Sequence, residues 1–160
     1  MEAPTMDCRF NSYLGHFSEK KGETKIMTTA VKLFFTTLFI FLTIDLIWLL
    51  GVSKKLYHSY LGELMGPPKI IPALIFYFIY VIAILFFVIY PSLGKSSLWY
   101  ALLAGGFLGF VCYGTYDLTN LATLKNWPAL ITSIDLLWGT FVTGITSGAV
   151  YMIASYFKWV

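Results

Sequence analysis

Charge is scarce in this chain, and what there is does not form a surface. Only 12% of the 160 residues are charged, against 58% hydrophobic, and a mean hydropathy of +0.75 lies outside the range of soluble domains. A water-soluble globule is excluded. The net charge of +3 comes from lysines scattered at the ends of apolar runs, with no basic stripe interleaved with exposed aromatics, so no nucleic-acid partner is expected. Cysteine is nearly lacking: Cys8 lies in a polar stretch and Cys112 in an apolar run. Neither a bridge between them nor a cysteine metal site is expected. Also missing are a nucleophilic serine motif, a histidine pair and an HExxH-like sequence, so no metal is expected and no cofactor can be named.

Long apolar runs are what the chain has instead. A bilayer core of roughly 30 Å needs about 20 apolar residues per helical span. Four such runs stand at about Val31 to Val52, Ile70 to Tyr90, Leu98 to Leu124, and from Pro128 to about Phe157. The pattern predicts an all-α integral membrane protein of four transmembrane helices, one domain over residues 27–160, with the lipid bilayer as its partner. Residues 1–26 are polar and show no hydrophobic period, which reads as a disordered or interfacial tail. No A-x-A-like cleavage site follows the first apolar run, so a retained anchor is expected rather than a signal peptide. Met27 opens MTTAVKLFFTTLF, a plausible start of its own.

The segment from Ser53 to Lys69, with Tyr57, His58, Tyr60 and Pro67-Pro68, reads as a short interfacial connection, and Pro91 to Lys95 as the next turn. An even number of spans puts both termini on one side. Arg9, Lys20, Lys21, Lys25, Lys32, Lys95 and Lys158 on that side, against Lys54, Lys55, Lys69 and Lys125 on the other, give a slight cytoplasmic preference. Counting from Met27 removes it.

In the third run Ala101, Gly105, Gly109 and Tyr113 recur every four residues, a ridge of small side chains that lets another helix approach closely. The same face reaches Asp117 and Asn120. In the fourth run Thr132, Asp135, Gly139, Thr143 and Thr146 form a polar or small inward stripe. Two fragments recur in order: Thr43-Ile-Asp45-Leu-Ile-Trp-Leu49 with Thr115-Tyr-Asp117-Leu-Thr-Asn-Leu121, and Pro72-Ala-Leu-Ile75 with Pro128-Ala-Leu-Ile131. The order suggests two related helical hairpins, repeated in parallel about an axis along the membrane normal.

Three carboxylates fall at matching positions. Asp45 and Asp117 each lie seven residues before the end of a span, and Asp135 lies seven after Pro128. At about 1.5 Å per residue each Cα sits roughly 10 Å below the same membrane surface. A charged aspartate at mid-bilayer costs about 2.5 to 3.5 kcal/mol, so the three must be partnered, hydrated or protonated, and should titrate as a coupled unit. No Arg, Lys or His shares that depth. Candidate donors are Asn120, Thr43, Thr119, Thr132, Tyr113, Tyr116, Trp48 and Trp138, with Tyr77 and Tyr80 sharing a face of the second helix.

The stretches YDLTNLATLKNWP (Tyr116 to Pro128), IDLLWG (Ile134 to Gly139) and IDLIWL (Ile44 to Leu49), with the FYxxY element at Phe76, Tyr77 and Tyr80, resemble a bacterial membrane family of unknown function, DUF2177. The likeness covers about Met27 to Trp159. It implies a small four-helix protein of the bacterial inner membrane and supplies no activity. The candidate binding or proton-carrying residues are Asp45, Asp117, Asp135, Asn120, Tyr116, Tyr113, Thr119, Trp48, Trp138, Tyr77 and Tyr80. Three roles compete. One is binding or proton-linked transport of a small solute, for which a second copy of so small a chain is expected to complete a pathway. Another is an intramembrane enzyme acting on a lipid, with two carboxyls as general acid and base. The third is a structural or assembly protein whose aspartates only fix helix packing.

Overall fold

The computed structural model describes the backbone of residues 8–62 and 66–159, and side chains from residue 24 onward within those ranges. The chain divides into two compact units, Met1–Lys32 and Leu33–Val160. Helix α1 spans Cys8–Trp48 and so begins well before the Val31 suggested by hydropathy. The run SEKKGETK is rich in lysine and glutamate, which favour helix without any apolar period. Of the tail expected over 1–26, residues 1–7 lie outside the described residues. In the first unit Thr28 Oγ1 donates to the Thr24 carbonyl at 2.8 Å, a bond that satisfies the hydroxyl within its own helix.

In the second unit α1 is followed by a π-helical turn at Leu49–Ser53 and by α2 (Lys54–Leu61). After the loop come α3 (Ile70–Ile84), a second π turn at Leu85–Ile89 and α4 (Tyr90–Gly94). Then follow α5 (Leu98–Thr123) and α6 (Ala129–Tyr156). No strand occurs among the described residues. Four helical stretches are long and apolar enough to cross a membrane: Thr24–Leu61, Ile70–Gly94, Leu98–Thr123 and Ala129–Tyr156. The all-α, four-span membrane architecture expected from the sequence is the one observed.

Besides the start of α1, two boundaries differ from the sequence reading, and both of these involve π turns. Residues 54–61, taken above for an interfacial connection, continue the first helix; one extra residue in a turn rotates the following face by about 100°, which lets a polar segment stay helical and aim Tyr57 back at the bundle. Pro91, taken for the next turn, lies at the start of α4. A proline inside a helix lacks an N–H and crowds the carbonyl four residues earlier. The π turn before it, closed by the Tyr90 amide on the Leu85 carbonyl, shifts the bonding pattern and lets the helix run on to Gly94.

α5 and α6 form the tightest pair. A methyl group added to Gly109 would overlap the Gly139 carbonyl, and one added to Gly105 would meet Ser147 Oγ at 2.5 Å. Ala101, Gly105 and Gly109 are buried, as are Thr132, Asp135, Gly139, Thr143 and Thr146 of α6, with Gly139 and Thr143 directly against the glycines. The small-residue ridge expected from the sequence is thus the contact at which the two backbones touch. α1 and α3 meet through large side chains instead. Phe41 packs on Tyr80 with ring centroids 5.1 Å apart and on Tyr77 at 6.1 Å, over a core of Val81, Ile84, Val142 and Val150. The outward faces are apolar, with Ile47, Leu50, Ile70, Leu103 and Leu137 all exposed, as suits a surface solvated by lipid.

Candidate functional site

Several intramembrane threonine hydroxyls are satisfied within their own helix. Thr43, Thr115, Thr119 and Thr140 each donate to the carbonyl four residues earlier, at 2.6 to 2.7 Å, so none serves a carboxylate. Thr132 accepts from Trp127 Nε1 at 3.0 Å. Thr43, Thr119 and Thr132, candidate donors by depth alone, are therefore not donors to the aspartates. Thr119 lies exposed, and Asn120 is half-buried.

The donors that do reach the carboxylates are aromatic. Asp45, buried on α1, accepts from the Tyr77 hydroxyl of α3 at 2.7 Å on Oδ2 and from Trp138 Nε1 of α6 at 3.2 Å on Oδ1. Trp138 also stacks on Trp48, with centroids 4.4 Å apart and rings 12° from parallel. The Tyr57 hydroxyl of α2 donates to Asp135 Oδ1. Tyr80 shares a 2.7 Å hydrogen bond with Thr143 Oγ1 and so ties α3 to α6. Because Trp138 lies three residues from Asp135 on one helix, Asp45 and Asp135 sit within about one turn of each other in depth.

Asp117 is different. Its residue is 1% exposed, and neither carboxyl oxygen has a hydrogen-bond partner among the described residues. The antiparallel register that sets Gly105 against Ser147 and Tyr113 against Gly139 continues to set Asp117 opposite Asp135. Two carboxyls thus face each other between α5 and α6, with Tyr57 on one of them.

A cavity of about 400 Å³ lies beside this pair, within the range of small-molecule sites. α1 contributes Asp45, Trp48 and Leu49 to its wall, and α2 contributes Tyr57. Phe76 and Tyr77 come from α3, Cys112, Tyr113 and Tyr116 from α5, and Trp138 from α6. Aromatic rings make up most of this lining, and among the described residues no basic side chain joins it. Of this lining Phe76 and Tyr116 are exposed. Tyr116 stands edge-on to Trp127 in the α5–α6 turn.

The carboxylates are therefore divided: Asp45 lines the cavity, whereas Asp117 and Asp135 are buried next to it, reached through Tyr57. Trp48, Tyr77, Tyr113, Tyr116 and Trp138 are in the wall, and Tyr80, Thr119 and Asn120 are not. Sequence reasoning missed Tyr57, Phe76 and Cys112. Tyr57 was hidden by the assumption that the first helix stops near Val52. Its signal is the four-residue spacing Ser53, Tyr57, Leu61, which continues one helical face. Cys112 precedes Tyr113 and Tyr116 on the same helix and could have been taken with them.

A family model described as "Predicted membrane protein (DUF2177)" matches residues 30–152. No curated protein and no solved structure matches the chain.

Proposed function

The chain belongs to this family of predicted membrane proteins, and from that premise we propose that it binds a small solute and moves it across the membrane in exchange for, or together with, protons. In this reading the aromatic cavity with Asp45 takes the solute, and Asp117 with Asp135 carries the proton. One observation carries the proposal: Asp117 is buried and accepts no hydrogen bond. An aspartate kept only to fix helix packing would hold a partner on the neighbouring helix, since the interhelical bond is what stabilises it. A carboxyl that makes none costs stability and contributes only what its protonation can do. Tyr57, shared between the cavity wall and Asp135, links the two parts.

The protein then lies in the bacterial inner membrane, with both termini on the cytoplasmic side, residues 1–26 as a tail outside the domain of 27–160, and a second copy completing the pathway. The test is proton movement in liposomes loaded with a pH-sensitive dye and challenged with a panel of small organic and inorganic cations. Wild-type protein should give a solute-dependent pH change above that of empty liposomes, and Asp117→Asn should bring it to the empty baseline. Equal responses from wild type and Asp117→Asn would overturn the reading.

A second reading draws on the exposure of Phe76 and Tyr116 in a mostly aromatic lining, which suits a lipid reaching the cavity from the bilayer. An intramembrane enzyme acting on that lipid would alter the lipid extract of cells that make the protein, and identical extracts would dismiss it.

A further inference from the structure

The chemistry of the cavity wall narrows the solute. Among the described residues Asp45 is its only carboxylate, and each Asp45 oxygen already receives a neutral donor, Tyr77 on one and Trp138 on the other. The Tyr57 hydroxyl is likewise committed, to Asp135. Calcium takes six to eight oxygen ligands and magnesium a near-octahedral set, far more than this wall offers. A primary ammonium has three N–H donors to satisfy, and the remaining acceptors are few. An ammonium whose hydrogens are replaced by alkyl groups needs no acceptors. It gains from the negative faces of aromatic rings and from one nearby anion, which is what surrounds the space.

We infer that the solute is an alkylated ammonium ion, seated beside Asp45 and ringed by Trp48, Tyr57, Phe76, Tyr77, Tyr113 and Trp138; this rests on the solute-binding reading above. An ionised carboxylate in a membrane is stabilised by a cation beside it, and among the described residues no basic side chain joins this wall. The trimethyl or larger head fits a cavity of about 400 Å³, and a longer substituent would lie along Phe76 and Tyr116, the lining rings that reach the surface. Two sources share this chemistry: a free solute, or the headgroup of a choline-type lipid.

The test titrates full-length protein, in a detergent without an ammonium headgroup, with tetramethylammonium chloride and with neopentyl alcohol, its uncharged counterpart in shape, following tryptophan fluorescence. Saturable binding of tetramethylammonium, roughly tenfold or more tighter than the alcohol, is expected. Asp45→Asn should remove most of that difference, and Trp99→Phe, at an exposed ring remote from the wall, should leave it intact. Equal affinity for ion and alcohol, or no saturable response to the ion, would overturn the inference, and neither result depends on a variant folding. Repeating the titration in nanodiscs identifies the source. Competition by phosphatidylcholine but not phosphatidylglycerol supports a lipid headgroup, and equal affinity in both supports a free solute. If tetramethylammonium fails while Asp117→Asn still abolishes the proton response, the ammonium assignment falls alone; if both fail, so does the reading beneath it.

Discussion

The two halves of this bundle solve the same packing problem in opposite ways. Between α5 and α6 the backbones touch at Gly109 and Gly139, where not even an added methyl group fits. Between α1 and α3 the contacts are rings and long side chains, Phe41 on Tyr80 and Tyr77 on Asp45. Close approach makes a seam in which one backbone lies directly on the other. Wide approach, held open by aromatics, leaves the space in which the cavity forms. The carboxylates follow the same division: the seam holds Asp117 facing Asp135, and the wide side presents Asp45. The resemblance between Thr43–Leu49 and Thr115–Leu121 thus covers two aspartates in unlike settings, one with two aromatic donors and one with none.

The largest effect should come from breaking the seam. Gly109→Leu forces a side chain into the Gly139 carbonyl and should cost about 3 kcal/mol or more, read as a collapse of the thermal transition in detergent. Gly94→Ala, where an added methyl meets nothing within 4 Å, should leave the transition nearly unchanged. If both variants melt alike, the seam is not what holds α5 to α6.

A smaller effect separates the aspartates. Asp45→Ala strands the Tyr77 hydroxyl and the Trp138 N–H and should lower stability by about 1 to 3 kcal/mol. Asp117→Asn removes no hydrogen bond and should leave stability unchanged or raise it while ending proton movement. A melting temperature lowered equally by both would mean that Asp117 does fix packing after all. Smallest is Tyr57→Phe, which removes one donor to Asp135 and should cost about 1 kcal/mol. It should also weaken the coupling of solute binding to proton uptake, measured as protons taken up per solute bound.

Much of this was legible in order along the chain, because a bilayer converts linear properties into structure. Span length follows from the thickness of the hydrocarbon core, and small or polar residues at helical spacing must face inward where lipid cannot serve them. On that basis the four helices, the Gly105–Gly109 ridge, the α6 stripe and the inward position of all three aspartates could be written from residue order alone. Their partners could be written only in part: Trp138, a donor expected from depth, does reach Asp45, whereas Tyr57, 78 residues from Asp135, was not among the donors expected, and the threonines Thr43 and Thr119 bond their own helix instead.

Two π turns made the difference. Each inserts a residue into a helix without changing its hydropathy, so the rotation that carries α2 and Tyr57 toward the bundle leaves no mark in an apolar pattern. The sequence by itself determined how many times the chain crosses the membrane and which residues face inward, because burial in lipid penalises every exposed polar group along each helix. Only the tertiary structure decided that one carboxylate borders an aromatic cavity while two confront each other in a seam. That division depends on how closely helices approach, and closeness is a property of facing pairs rather than of any one run of residues.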